Sequence, residues 1–377
     1  MNRPRRQLLG AAALSCAPRL PQAASIAYPD VMPRALDFPR DFGAHLPYRI
    51  EWWYLTGVLD PLSGGPQLGL QLTFFRIRPP VDPDNPSRFA AHQLVLAHAA
   101  IADPRRGALL HEERFARTGF GVASLSENDT QVEVDRWSLA RDPASGTYRA
   151  IAQASQFRIE VVATPTQALL LQGERGYSRK GPDDGRATPA SLYYSEPQLA
   201  LQARVRIESE GGDARLRSGR GWLDHEWSST YLPPQSNGWD WVGFNLDDAS
   251  ALTAFQMRPA AAKEPGADRV AAWFAYASLR SGSGNLRTFA PAQVRFEPKQ
   301  RWTSPRTRAT YPVAQRIVVA GRTFETRPLM PDQELEPAGG FAYWEGASEL
   351  LEGGRVVGRG YLELTGYAGP VPGVLGR

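Results

Sequence analysis

Trp52-Trp53-Tyr54-Leu55-Thr56-Gly57-Val58-Leu59-Asp60 comes back, without a gap, as Trp239-Asp240-Trp241-Val242-Gly243-Phe244-Asn245-Leu246-Asp247. The ends match and the third position is aromatic in both. Two further blocks follow in the same order. Ala97-His98-Ala99-Ala100-Ile101 resembles Ala275-Tyr276-Ala277-Ser278-Leu279, and Gly219-Arg220-Gly221-Trp222-Leu223-Asp224 resembles Gly358-Arg359-Gly360-Tyr361-Leu362-Glu363. Three ordered blocks define an internal repeat. The first copy carries about 48 extra residues, placed within 105–195. Ser228 to Gly238, with Pro233-Pro234 and Ser-Asn-Gly, reads as the linker. The expected units are residues 40–227 and 239–377.

The pattern inside the copies is that of strands. Leu68-Gly69-Leu70-Gln71-Leu72-Thr73-Phe74 and Leu199-Ala200-Leu201-Gln202-Ala203-Arg204-Val205-Arg206-Ile207 alternate with period two. Gly 35 and Pro 32 in 377 residues cut the chain into short elements. No long amphipathic helix appears, although Glu345 to Leu351 reads as a turn or two of one. After Phe74 the apolar parity shifts to Phe75 and Ile77. That calls for a bulge, a change of packing environment, or a lost register at the strand end. The fold class is all-β: two tandem antiparallel barrels, or two strongly curved sheets.

The formal charge of +4 has an address. Arg3, Arg5, Arg6 and Arg19 are the only charged side chains before Asp30, and without residues 1–25 the basic and acidic groups balance. Arg5-Arg6 before the apolar run Leu8 to Ala17, with Ala23-Ala24-Ser25 behind it, reads as a twin-arginine export signal. The expected location is periplasmic or secreted. Cys16 is the only cysteine, which excludes an intramolecular disulfide. Cleavage before it and lipidation would anchor the protein. Cleavage after it would leave no thiol. Arginines are scattered among acids, not gathered in runs, so nucleic acid is not an expected partner. No phosphate-binding loop, dinucleotide fingerprint or Gly-x-Ser-x-Gly elbow is present. No metal is expected, since His92, His98 and His111 lack an acid to complete a ligand set.

The closing blocks differ where chemistry would sit. Copy two continues as Leu364-Thr365-Gly366, copy one as His225-Glu226-Trp227. On a strand, His225 and Trp227 share one face, and Asp224 and Glu226 the other. His225 is a candidate proton shuttle, with Asp224, Glu226 or Asp240 as the acid. The alternative is a structural cap and plug. Trp52, Trp53, Trp227, Trp241 and Tyr194 are candidates to line an apolar pocket. Glu51, just ahead of the tryptophans, is either paired with an arginine or part of the site.

Glu51-Trp52-Trp53-Tyr54, Tyr193-Tyr194-Ser195, Gly-Trp-Leu-Asp-His-Glu-Trp (221–227), Gly238-Trp239-Asp240-Trp241 and the closing 358–367 together resemble the AttH-like branch of the carotenoid 1,2-hydratase family. The resemblance spans roughly residues 40 to 370. It implies two lipocalin-like barrels in tandem. It also implies addition of water to a terminal isoprenoid double bond without a cofactor, through a His-x-Trp pair and a Tyr-x-Asp pair on a following strand. His225 and Trp227 match the first pair. Phe255-Gln256-Met257 stands where the second is expected, with neither hydroxyl nor acid. The expected function is therefore hydration or hydrolysis of a long apolar substrate, of isoprenoid or lipid type. A non-catalytic lipid carrier and a solid partner-binding module are the alternatives. Peripheral association with a membrane fits the first two.

Overall fold

The computed structural model describes residues 26–183, 189–211, 213–230, 232–260, 272–337 and 342–369. The leader expected at residues 1–25, Cys16 included, lies outside them. Among the described residues, no helix is long and apolar enough to cross a membrane.

The alternating segments form two antiparallel barrel-like sheets, one a near-closed barrel and the other a half-barrel. In each, the repeat's opening strand sits at the centre, paired to the closing strand. Ile50–Leu59 lies between Leu68–Ile77 and Arg215–Ser228. Ser236–Leu246 lies between Ala251–Pro259 and Arg355–Leu364. Outward on one side follow two meander strands, and on the other Ala190–Ile207 in the first sheet and Tyr343–Glu352 in the second. The first sheet continues further, to Gln131–Val134 and Ala123–Leu125, and carries Leu170–Leu171 and Tyr177–Arg179 on Ala190–Ile207. These additions fall inside 105–195, where the sequence places the extra length of copy one.

The pairing registers match the repeat residue by residue. Tyr54 faces Asp224, Thr73 faces Tyr54, and His98 faces Thr73. In the second sheet Trp241 faces Glu363, Phe255 faces Trp241, and Tyr276 faces Phe255. The same frame makes Ser195 the counterpart of Glu345, since these face Asp224 and Glu363.

Each sheet has an apolar core on its inner face, with Leu55, Leu72, Phe74 and Leu223 in the first and Val242, Phe244, Ile317 and Leu362 in the second. The outer faces of the equivalent strands then pack against each other. Tyr54, Val58, Trp222, Trp241, Phe255 and Tyr361 make that shared layer. The approach is close. A Cβ on Gly69 would stand 2.4 Å from the Ala347 Cβ of the other sheet. Glycine at 69 leaves room for that approach.

Burial on both faces explains two departures from simple alternation. Leu68–Ile77 contains no bulge; its register is continuous with both neighbours. The parity shift at Phe75 marks the change of packing environment, because Phe75 and Ile77 are covered on the outer face. The helical turn expected at Glu345–Leu351 is instead part of the strand Tyr343–Glu352. It is paired on both sides and nearly all buried, so both parities are apolar or small and the period of two is lost.

Candidate functional site

The central strands present two different sites on their two faces. The inner-face cluster of the first sheet is built from Glu51, Trp53, His225 and Trp227. Glu51 is fully buried and receives four partners. His225 Nε2 lies 2.8 Å from Oε1 and His45 Nδ1 2.7 Å from the same oxygen, while Arg76 Nε and the His45 amide donate to Oε2 at 2.9 and 2.8 Å. His225 Nδ1 meets the Tyr194 hydroxyl at 3.0 Å. His45 stacks on Trp227 with ring centroids 3.6 Å apart, and Trp53 on His225 at 4.7 Å. Burial opposes a charge on Glu51, but the His45 and His225 rings and Arg76 outweigh it and hold the carboxyl well below the usual range. Burial takes His225 the other way, down to about 4, so the ring is neutral at pH 7.

Among the described residues, His45, Glu51 and His225 are the one group whose ligand atoms converge as a metal site would need, within 4.8 Å. Their spacing is that of hydrogen bonds. Ligands about 2.0–2.1 Å from a tetrahedral zinc stand more than ~3.2 Å apart, whereas these contacts are 2.7 and 2.8 Å. Arg76 already supplies the positive charge. The cluster is a buried plug in which the Glu51 carboxylate is fully engaged, while Trp53 Nε1, Trp227 Nε1 and Arg76 Nη2 have no partner.

The outer face carries the cavity. Trp52, Tyr54, Tyr193, Asp224 and Glu226 from the first sheet meet Trp239, Trp241, Phe255, Met257, Glu345 and Glu363 from the second around one cleft. Its empty volume is about 870 Å³ out to the mouth, but the centre of a water-sized sphere can move through only about 90 Å³. The space is a narrow slot with room for a few waters or one slender apolar group.

Four carboxyl groups line it, and their surroundings differ. Asp224 accepts from Trp222 Nε1 at 2.7 Å, Ser195 Oγ at 2.5 Å and Tyr193 Oη at 2.8 Å. Burial raises it to about 7 against those three donors. Glu226 is paired with Lys180 Nζ at 2.7 Å and accepts from Ser191 Oγ. Glu345 and Glu363 face each other directly across adjacent strands. Burial raises Glu363 to about 8, opposed by a hydrogen bond from Trp239 and reinforced by Asp224 and Glu226. Burial and the neighbouring Glu363 push Glu345 well above the usual range; the Tyr54 hydroxyl donates to one of its oxygens, and the other has no partner. Two carboxyls on one face of a strand pair cannot both ionise cheaply, so the pair keeps a proton at neutral pH.

Of the residues singled out in the sequence, Asp224, Glu226, Trp52 and Trp241 come together in the slot. Glu51, Trp53, Tyr194, His225 and Trp227 gather in the plug behind it. Tyr193, one residue from Tyr194, is the tyrosine that reaches the slot. Asp240 belongs to neither group. It lies on the inner face of the second sheet, with Arg258, Gln256 at 2.7 Å and Tyr367 at 2.9 Å. Sequence reasoning missed Glu345, Glu363, Tyr54 and Lys180 as site residues. The repeat held the signal for Glu363, since it is the counterpart of Asp224 and both copies keep an acid there. His98, set aside as a metal ligand, contacts the slot-lining Tyr343 hydroxyl at 2.7 Å.

Fold and site define a two-sheet β protein with a carboxyl-lined aromatic slot where the sheets meet. The chain belongs to the AttH-like family, whose profile matches residues 29–367. A solved structure from Nitrosomonas europaea that carries the AttH designation is 45% identical, with a TM-score of 0.80, over 90% of this chain and 99% of that one. The fold is also that of kievitone hydratase from Nectria haematococca, at 14% identity and a TM-score of 0.63, over 88% of this chain and 92% of that one. No protein of curated function matches the chain.

Proposed function

We propose that the protein is a hydratase that needs no cofactor and adds water to a branched carbon–carbon double bond of an apolar, isoprenoid-type molecule held in the slot. The observation that carries this reading is the protonated pair Glu345–Glu363 facing a Trp-lined space. Protonating an alkene needs a carboxyl that still holds its proton at neutral pH beside the double bond, and burial of paired carboxyls supplies that. The Glu363 carboxyl gives its proton to the less substituted carbon, the π electrons forming the new C–H bond. The tertiary cation faces the indoles of Trp52, Trp239 and Trp241 and the Asp224 carboxylate. A water oxygen closes on the cation, and its surplus proton passes to Glu226, which Ser191 and Lys180 hold in place. Glu226 releases that proton and Glu363 takes one up from solvent, so the sum is alkene plus water to alcohol. That the same fold serves a protein named kievitone hydratase supports the reading. On the twin-arginine leader of residues 1–25, this chemistry takes place outside the cytoplasm.

The test is incubation with prenylated substrates in water labelled with heavy oxygen, followed by mass spectrometry. Incorporation of one labelled water is expected. Glu363→Gln lowers turnover by about 10²–10⁴-fold with ligand binding kept. Unchanged turnover in that variant overturns the mechanism, and binding without product in the unmodified protein leaves a carrier instead.

A further inference from the structure

One end of the first sheet is built unlike the rest of the surface. Phe89, Phe115 and Phe120 are 75, 61 and 54% exposed, while the other phenylalanines among the described residues are largely covered. Phe89 and Phe120 stack with centroids 5.6 Å apart. Arg117 lies over both rings, 4.3 Å from Phe120 and 5.5 Å from Phe89, and Arg88 lies 5.7 Å from Phe120. Phe120 has a left-handed backbone, φ 58, between Gly119 and Gly121 at φ 95 and 70. A bulky side chain is a poor choice for such a turn. The loop carrying Phe89 is pinned rather than free, because Ala91 packs on Ile50, Ile77 and Leu94.

Arginines gather around these rings. Arg49 and Arg78 stack on Tyr28 at the same barrel end, beside the row Ile50, Ile77, Leu94 and Arg117. None of Arg49, Arg78, Arg88 and Arg117 makes an ion pair among the described residues. The nearby carboxylates are Asp82, Asp84, Glu112, Glu113 and Asp135; Asp82 accepts the Asp84 amide within its own turn, Glu112 and Asp135 are paired with Arg114, and Glu113 lies 3.8 Å from His98 Nε2. The patch is also joined to the slot. Trp52, Phe75, Leu96 and Phe115 are successive register partners across four strands of the outer face. Burial falls along this row from the slot-lining Trp52 and Phe75 to exposed Phe115.

We propose that this end docks on an anionic phospholipid bilayer, with Phe89 and Phe120 entering the headgroup–acyl boundary and the four arginines facing lipid phosphates. Exposed aromatics ringed by unpaired cations match the two layers of such a surface. An apolar row then leads from the membrane side to the slot. That last step rests on the function proposed above; the docking itself does not.

Co-sedimentation of the full chain with vesicles tests it without any substrate. Vesicles of phosphatidylcholine alone are compared with vesicles of about seven parts phosphatidylcholine to three of phosphatidylglycerol. Binding is expected to the anionic vesicles and to weaken as salt rises. F89S/F120S lowers that partition about tenfold or more, and R88Q/R117Q removes the preference for anionic lipid. Unchanged melting temperatures show that both variants fold. The leader is present in every sample, so binding that persists undiminished in both variants overturns the proposal. So does an absence of binding, or a Phe-dependent dimer in sedimentation velocity with no vesicle uptake. If vesicle binding behaves as expected and no hydration is found, the docking stands and the hydratase reading falls.

Discussion

The two copies share a frame and differ in what they put on each face of it. Arg76 and Arg258 occupy equivalent positions, on the strands next to the two opening strands. In copy one the carboxylate partner is Glu51, with His45 and His225 beside it. In copy two it is Asp240, two positions further along the opening strand, with Gln256 and Tyr367 beside it. A buried polar plug is thus common to both copies, rebuilt from different residues, so the His-Glu-Trp run of copy one is one version of a shared structural device. On the outer face the copies keep an acid at Asp224 and Glu363 and diverge next door, where Ser195 stands opposite Glu345. Asp224 is surrounded by donors. Glu363 is surrounded by acids. The functional asymmetry lies there.

The largest effect expected from breaking this comparison is in the plugs. Glu51→Ala leaves Arg76 buried without its anion and costs about 3–5 kcal/mol in urea unfolding. Asp240→Ala costs less, since Arg258 retains some exposure while Arg76 is wholly buried. A loss below about 1 kcal/mol for Glu51→Ala would mean that the plug does not hold the first sheet together.

Next is His225→Gln. It gives up two buried hydrogen bonds and costs about 1–3 kcal/mol. Turnover is expected to fall less than about tenfold, far short of the loss in Glu363→Gln. An equal loss in both variants returns His225 to the chemistry.

The smallest effect is on pH. The Glu363 carboxyl rises from 4.5 to about 8 on folding, and Asp224 from 3.8 to about 7. Their stabilisation is complete below the ordinary values and lost as pH climbs through the raised ones. Glu51 runs the other way, its contribution present above 4.5 and lost as pH falls through its depressed value. Thermal melts should therefore peak at mildly acidic pH and decline by a few degrees towards pH 8, and the decline should flatten in Glu363→Gln. A melting temperature that rises steadily from pH 5 to 8 would contradict the raised acids.

Much of this architecture was legible in the residues. The repeat and the period of two led to two β units, and strand parity separated His225 and Trp227 from Asp224 and Glu226. The default arginine partner for Glu51 is Arg76. What stayed hidden needed the third dimension. Glu345 sits in a strand buried on both faces, where alternation vanishes and a helical turn fits as well. Lys180 enters the slot from a short strand laid across Ala190–Ile207 and carries no motif. The slot itself arises from how two outer faces meet, which no single strand encodes.

Gly69 lets those faces close, and the closure divides the labour. The acid pair belongs to one half of the chain, the Lys180-held carboxylate to the other, with Tyr54 and Trp241 reaching across the seam to Glu345 and Tyr193. Neither half carries a complete set. A duplication that began as redundancy has become a ratchet: once the halves specialised, losing either would discard the whole site.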